Sequence, residues 1–112
     1  MMKLLVTAQS EGLDSPIDMR FGRGAYYSVI DIENLTCESH PNPAINAPGG
    51  AGVQASQFAE KLKVDAVASG HFGPKAAGVL RAAGINMFLL GDCKTVRDAA
   101  TRMAAGQLER FD

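Results

Sequence analysis

Apolar positions in the first third of the chain follow the patterns of β-strands. Residues 3–8 contain a contiguous apolar run, which is typical of a strand buried on both faces. Residues 25–32 are rich in tyrosine, valine and isoleucine. Residues 35–40 alternate between apolar and polar types, which predicts a half-exposed strand at the edge of a sheet. Pro41 and Pro43 are expected to end this third strand.

The later part of the chain has apolar residues at helical spacing. Residues 53–62 predict a first helix with one apolar face. A second helix is expected to begin at Pro74, whose missing N–H costs nothing in a first turn, and to be capped by Gly84. The third helix is expected to begin at Asp92 or at Thr95, since both residues are good N-caps.

Two short apolar segments, residues 64–69 and 85–90, predict strands between these helices. The order is β-β-β-α-β-α-β-α, which predicts an α/β fold with a mixed five-stranded sheet flanked by helices. Strands one, three, four and five should run in the same direction, so their carboxyl ends share one rim, where open α/β sheets bind ligands. The connections expected at this rim are residues 9–24, 41–52, 69–75 and 91–95.

Composition limits the classes of function. The chain has 112 residues, which predicts a single domain over 1–112, and a net charge of −1, which gives no general affinity for nucleic acids or membranes. No apolar stretch is long enough for a spanning helix or a signal peptide, so a cytoplasmic protein is expected. Cys37 and Cys93 are expected to be free thiols, and two cysteines cannot supply the four thiolates of a conventional iron–sulfur cluster.

Two glycine-rich turns, residues 47–52 and 69–76, precede the first two helices. Helix starts carry unpaired N–H groups and partial positive charge, and glycine lets a ligand approach the backbone closely. Two such turns at one rim predict a site for a compact anion. The alternative is that these glycines serve only turn geometry and helix–strand packing.

Several segments, taken in order, resemble the dinitrogenase iron-molybdenum cofactor biosynthesis domain family. The matching segments are Phe21-Gly22-Arg23-Gly24-Ala25-Tyr26-Tyr27, Asn42-Pro43, Gly49-Gly50-Ala51-Gly52, Val64-Asp65-Ala66-Val67, Ser69-Gly70-His71-Phe72-Gly73-Pro74-Lys75-Ala76 and Ala83-Gly84-Ile85. They span nearly the whole chain. In size and in residues 3–8, the chain is most similar to the orange-protein branch of the family.

The resemblance implies an RNase H-like fold and the binding of a preformed metal–sulfur cluster. For the orange-protein branch it implies a molybdenum–copper sulfide cluster held without covalent bonds to the protein. An iron-molybdenum cofactor precursor, or no cofactor, is the alternative. The family's second glycine turn commonly reads Gly-Asn before its Gly-Pro, whereas this chain has His71 and Phe72 after Gly70.

A thiometalate cluster is a polyanion with soft sulfur surfaces, and the rim contains matching groups. Arg20, Arg23 and Lys75 could donate to it. His71 could donate a hydrogen bond to sulfide or bind copper, or it is an exposed turn residue. The predicted contacts also include the backbone of both glycine turns and an apolar wall. These residues are Gly49, Gly50, Gly52, Gly70 and Gly73 in the turns and Met19, Phe21 or Phe72 in the wall.

The cysteines and His40 are weaker candidates. Cys93 follows a predicted strand and precedes a helix, where a thiol could be a metal ligand with a lowered pKa, or it is a small buried apolar residue. Cys37 and His40 have a Cys-x-x-His spacing, but residues three apart in a strand point to opposite faces. They are therefore poor joint ligands.

The sequence predicts a non-catalytic carrier. The first strand contains no carboxylate of the kind a two-metal nuclease needs, and no common hydrolase or nucleotide-binding motif occurs. The competing hypothesis is a metal-free regulatory or interaction domain that binds a protein partner or a phosphate-bearing metabolite. An unidentified protein partner is expected in either case. The edge strand at 35–40 leaves monomer and weak homodimer both open.

Overall fold

The predicted strands and helices all form, and the mixed α/β architecture is confirmed. The structure is a computed structural model, and it describes residues 2–46 and 48–111. The strands are β1 (Lys3–Ala8), β2 (Tyr26–Asp31), β3 (Thr36–Pro41), β4 (Ala66–Ser69), β5 (Asn86–Leu89) and β6 (Glu109–Arg110), and the helices are α1 (Ala51–Lys61), α2 (Pro74–Ala82) and α3 (Val96–Ala104).

The strands form one mixed sheet in the order β3-β2-β1-β4-β5-β6. The first three strands pair antiparallel, while β4 pairs parallel to β1 and β5 parallel to β4. The predicted directions are therefore confirmed, and β3 lies at an edge as expected. The carboxyl ends of β1, β3, β4 and β5 share one rim of the sheet, here called the upper rim.

The sheet is covered on both faces, because successive residues of its central strand point to opposite sides. Leu5 belongs to a core cluster with buried residues of α1 and α2, and Leu4 and Val6 belong to a second cluster with buried residues of α3. Contiguous apolar residues in β1 are thus explained by two cores. Helices α1 and α2 lie on one face and α3 lies on the other.

The predicted number of strands was wrong, because a sixth strand is present at the carboxyl-terminal end. The two residues of β6 pair antiparallel with Phe88 and Leu89 of β5. Both residues of β6 are exposed and charged. They carry no apolar alternation that would reveal a strand, and the pairing depends on a distant part of the chain.

Three predicted boundaries are corrected or decided by local backbone geometry. The third strand ends at Pro41, one residue later than predicted, and Pro41 pairs with Tyr26 as the last residue of β3, a position that an edge strand tolerates. Helix α1 begins two residues earlier than predicted, at Ala51, after Gly50 in a left-handed conformation with φ 72°. Helix α3 begins after Thr95, whose side chain forms a capping box with Asp98.

Two further findings concern the helices and the thiols. Within residues 2–46 and 48–111, no helix is both long and apolar enough to span a membrane. Cys37 and Cys93 are free thiols, as predicted.

Candidate functional site

A groove of about 470 Å³ lies at the upper rim, where three predicted connections meet. The loop after β1, the turn after β3 and the turn after β4 each contribute lining residues, and the turn after β5 contributes none of them. The groove is lined by Phe21, Arg23, Gly50, Ala51, Gly52, Val53, Gly73, Pro74, Lys75 and Ala76. Ala51, Val53, Pro74 and Ala76 were not singled out as contacts in the sequence, although all but Val53 lie in the two glycine-rich turns.

Both helix starts at the groove lack side-chain caps. No described side chain caps the N-terminus of α1 or α2, and neither first turn contains an acidic residue. The first intrahelical donors are Gln54 in α1 and Ala77 in α2, so the preceding N–H groups have no acceptor within their own helix. At the start of α3, by contrast, the N–H of Asp98 donates to the Thr95 side chain, and the N–H groups of Val96 and Arg97 donate to the carbonyl oxygens of Ser15 and Leu13. The two starts that border the groove are the ones with N–H groups left for a ligand.

The charges of the groove lining have one sign. Arg23 and Lys75 are both exposed and line the groove from different connections. None of the ten lining residues is acidic. Two cationic side chains and two helix N-termini therefore produce a positive potential in one concave surface, which favours an anion.

The loop that carries Arg23 packs tightly against the start of α1. Gly22 has φ 92°, and a Cβ atom there would lie 2.7 Å from the carbonyl carbon of Ala51 and 2.8 Å from the amide nitrogen of Gly52. Glycine is therefore required at position 22 both by its conformation and by the space. This close approach places Phe21 and Arg23 beside the first turn of α1.

The apolar wall of the groove is supported from behind by tilted aromatic rings in contact with one another. Phe21 lines the groove, and its ring centroid lies 5.2 Å from that of the buried Phe72. Phe72 in turn lies 5.2 Å from Phe111. Phe72, a predicted contact, thus belongs to the core cluster under the wall and not to the lining.

A buried serine connects the two helices that form the groove. Ser56 Oγ lies 2.9 Å from the carbonyl oxygen of Gly52 in α1 and 3.2 Å from that of Ala76 in α2, so the two helices share its one donor hydrogen. At the same point, a Cβ atom on Gly52 would lie 3.4 Å from the Cβ atom of Ala76. Small residues at this crossing keep the two helix starts close together.

Comparison with known proteins agrees with this architecture. The family model described as dinitrogenase iron-molybdenum cofactor matches residues 2–106. The chain belongs to this family. The apo form of the orange protein from Desulfovibrio gigas has a TM-score of 0.92 and 37% identity, with 99% of this chain and 93% of that chain covered.

Two further relatives are more distant. A putative NifB protein from Thermotoga has a TM-score of 0.82 and 25% identity, with 98% of this chain and 93% of that chain covered. An uncharacterized protein of Methanocaldococcus jannaschii, MJ0580, is 25% identical over 95 residues, which are 82% of this chain and 80% of that protein. Family membership therefore spans nearly the whole length of the chain.

Arg20 lies outside the groove lining and is paired with a carboxylate. Its Nε and terminal nitrogen donate to the two oxygens of Asp18 at 3.1 and 3.0 Å. These hydrogen bonds hold the pKa of the Asp18 carboxyl below its usual value. An arginine already paired in this way is less available to an external anion than the sequence suggested.

Gly70 and His71, in the turn after β4, both contact the loop after β1. A Cβ atom on Gly70 would lie 2.6 Å from Met19 Cβ, so this glycine serves loop packing. His71 is exposed, and its backbone forms an isolated parallel β-bridge with that of Arg20. Its ring centroid lies 6.5 Å from that of Phe111. Met19, 43% exposed, is not one of the lining residues.

The cysteines lie away from the groove lining. Cys93 is buried in the core cluster beside α3, and burial raises the pKa of its thiol, so the lowered pKa considered from the sequence is wrong. Cys37 packs against that same cluster, whereas His40 contacts Phe58 on the other face, as the strand periodicity predicted. No three histidine, cysteine or acidic side chains within the described ranges are grouped to hold a metal ion.

The remaining predicted contacts are the first residues of the turn before α1. Gly50 lines the groove, and Gly49 is exposed next to it without being part of the lining. Residue 47, the predicted start of this turn, lies outside the described residues. Six predicted contacts thus line the groove: Phe21, Arg23, Gly50, Gly52, Gly73 and Lys75.

Proposed function

We propose that the protein binds a preformed anionic metal–sulfur cluster in this groove and carries it without transforming it, with residues 1–112 acting as one domain. The observation that carries the proposal is the convergence of two uncapped helix starts with Arg23 and Lys75 on a surface whose lining has no carboxylate. Membership of the iron-molybdenum cofactor family supports a cofactor-binding or carrier role.

The groove suits a cluster because it combines two kinds of contact. Backbone N–H groups and cationic side chains can donate to bridging and terminal sulfides, which are weak but numerous acceptors. Phe21, Pro74 and the small side chains of the lining offer apolar surface to the soft faces of the same cluster.

The cargo we favour is a molybdenum–copper sulfide cluster, because the similarity to the orange protein is high over the whole chain. An iron-molybdenum cofactor precursor is the alternative cargo. We place His71 at the edge of the bound cluster, where its imidazole could contact copper. We also assign the β3-β2-β1-β4-β5 order to the RNase H-like fold, with β6 as an addition.

The experiment that tests the proposal is an anaerobic titration of the purified protein with tetrathiomolybdate and copper, followed by desalting. A chromophore that stays with the protein in stoichiometric amounts, with matching molybdenum and copper contents, supports the carrier function. Colour that passes through the column contradicts it. In that case, a melting-temperature shift with inorganic phosphate or nucleotides would favour the phosphate-binding alternative.

The electrostatic part of the proposal predicts a site-specific loss of affinity. We expect the double variant Arg23→Gln with Lys75→Gln to bind the cluster at least about tenfold more weakly, because charge-assisted hydrogen bonds are worth about 1.5–3 kcal/mol each. The measurement is the dissociation constant from the absorption titration. Thermal stability should change little, since both side chains are exposed.

A matched control removes the same charge from the other ends of the same helices. Lys61 and Arg81 lie in the last turns of α1 and α2. The variant Lys61→Gln with Arg81→Gln should retain the affinity of the unaltered protein. Equal losses in both double variants would show that net charge, and not the groove, determines retention.

A further inference from the structure

Asn42, directly after β3, forms a dense set of hydrogen bonds and is only 6% exposed. Its side-chain amide donates to the carbonyl oxygen of Gly22 at 2.9 Å and to that of Gly24 at 2.8 Å. Its side-chain oxygen accepts from the backbone N–H of Ala44 at 2.9 Å. Both donors and the acceptor of the amide are therefore used.

The two carbonyl groups that Asn42 binds flank a single residue, Arg23. The amide thus holds the chain immediately before and immediately after the cationic residue of the groove. The backbone N–H of Asn42 adds a third connection to the same segment, donating to the carbonyl oxygen of Ala25 at 2.9 Å. The backbone on either side of Arg23 cannot move relative to the end of β3 without breaking these bonds.

The same loop is fixed from the opposite side by α1. Gly22 lies against the backbone of Ala51 and Gly52, with no room for a Cβ atom. The hydrogen bonds of Asn42 therefore hold the loop against the N-terminus of α1, whose N–H groups border the groove. Asn42 lies at the carboxyl end of β3 and before α1. It therefore links the upper rim of the sheet to the loop that carries Arg23 and to the N-terminus of α1.

We propose that Asn42 is a positioning residue that sets the place of Arg23 in the groove, an inference that rests on the proposed anion-binding function. The side chain acts through the loop backbone and does not line the groove. Buried hydrogen bonds of this kind make position precise, and a small displacement of a donor is enough to weaken its contact with a bound anion.

The test is a double-variant cycle with tetrathiomolybdate and copper as the probe. Asn42→Ala should bind the probe about tenfold more weakly, similar to Arg23→Gln alone, since a misplaced arginine and an absent one are equivalent. Adding Arg23→Gln to Asn42→Ala should then change affinity by less than about twofold. A full further loss would overturn the proposal, because it would mean that Arg23 still acts without Asn42.

A second measurement needs no bound cluster. The backbone N–H of Arg23 donates to the carbonyl oxygen of Arg20 at 3.1 Å, and its hydrogen exchange should become faster in Asn42→Ala while amides of β1 and α2 keep their protection. Unchanged exchange at Arg23 would contradict the proposal. If the unaltered protein does not bind the probe, the carrier function fails, and this exchange measurement still decides whether Asn42 positions the loop.

Two variants keep the test clear. Asn46→Ala removes an exposed asparagine from the same connection and should leave binding and exchange unchanged. If Asn42→Ala does not fold, the variant Asn42→Ser takes its place in both measurements. Serine has one donor hydrogen, whereas the asparagine amide has two. This variant should give an intermediate effect on affinity and on Arg23 exchange, and no effect on either would overturn the proposal.

Discussion

At the scale of single residues, three buried polar side-chain atoms among the described residues have no hydrogen-bond partner: Tyr27 Oη, Ser28 Oγ and His40 Nε2. Tyr27 is 1% exposed, and its hydroxyl has no hydrogen-bond partner among the described residues. Its ring packs against Phe58 with centroids 5.5 Å apart, and burial raises the pKa of the phenol well above its usual value. The ring stabilises the core through apolar contacts. Burying the hydroxyl costs desolvation free energy, which no hydrogen bond compensates.

This arrangement predicts that Tyr27→Phe stabilises the protein. Removing the buried, unpaired hydroxyl should raise the free energy of unfolding by about 1 kcal/mol, because the aromatic packing is retained. Urea unfolding of the two proteins measures the difference. Tyr26→Phe, at the neighbouring half-buried tyrosine, is the control and should change stability little. A loss of stability in Tyr27→Phe would show that the hydroxyl has a partner.

The ion pair between Asp18 and Arg20 predicts a pH dependence. Hydrogen bonds from Arg20 lower the pKa of Asp18 in the folded state, so the unfolded chain binds a proton at higher pH than the folded protein does. The stabilising contribution is present above the unfolded value of about 3.9 and is lost as pH falls through the lower folded value.

The expected result is a smaller acid-induced loss of stability in Asp18→Asn than in the unaltered protein. Unfolding free energies between pH 2 and pH 6 measure it. Arg20→Gln should flatten the curve in the same range, because it removes the cause of the shift. Parallel curves for all three proteins would rule out this pair as a source of the pH dependence.

At the scale of elements, Gly78 inside α2 and Gly22 in the loop after β1 have opposite structural requirements. Gly78 lies on the exposed side of α2, and a Cβ atom added there would have no neighbouring atom within 4 Å. Gly22 has a positive φ, and a Cβ atom added there would meet backbone atoms within 2.8 Å. Side-chain space and backbone conformation, not residue type, separate the two.

The two alanine substitutions should therefore have opposite signs. Gly78→Ala should raise the free energy of unfolding by about 0.5–1 kcal/mol, because alanine has the higher helix propensity. Gly22→Ala should lower it by about 2 kcal/mol or more through strain and overlap with α1. Thermal or urea unfolding measures both. A stable Gly22→Ala variant would mean that the loop can leave α1, which would also weaken the account of Arg23.

Most elements could be predicted because their signals are local. The apolar residues of β1 are contiguous, and those of α1 and α2 recur every three to four residues. Each of these signals is contained within a short segment of the sequence. The start of α1 was misplaced because Gly50 caps it through a left-handed backbone, not through a recognisable side chain. Strand β6 was missed because its signal is the partner strand β5, which lies about twenty residues earlier.

At the scale of the whole molecule, strand direction explains why much of the groove could be anticipated. Parallel strands place successive helix starts on one rim, so the turns before α1 and α2 had to meet the loop after β1. The sequence alone could not predict which cationic side chains line the groove. Arg20 and Arg23 are three residues apart, yet Arg20 is paired with Asp18 outside the groove while Arg23 lines it.

The roles of Gly22 and Asn42 depend on contacts over long sequence distances. Gly22 meets the start of α1 some thirty residues later, and Asn42 binds the loop twenty residues before it. Both residues occur in the segments that identify the family, but the sequence assigned them no function. Such contacts become visible only when the chain is folded.

The groove lies on the surface, with Arg23 and Lys75 exposed at its sides. A cluster bound there, as proposed above, would keep one side towards solvent, so an acceptor protein could engage it before the carrier released it. Delivery would then be a direct exchange between two proteins, with a rate that rises with acceptor concentration and is independent of slow spontaneous dissociation. An enclosed cavity would tie these two rates together. In the proposed function, an open cationic groove would let long retention and rapid transfer coexist in one small protein.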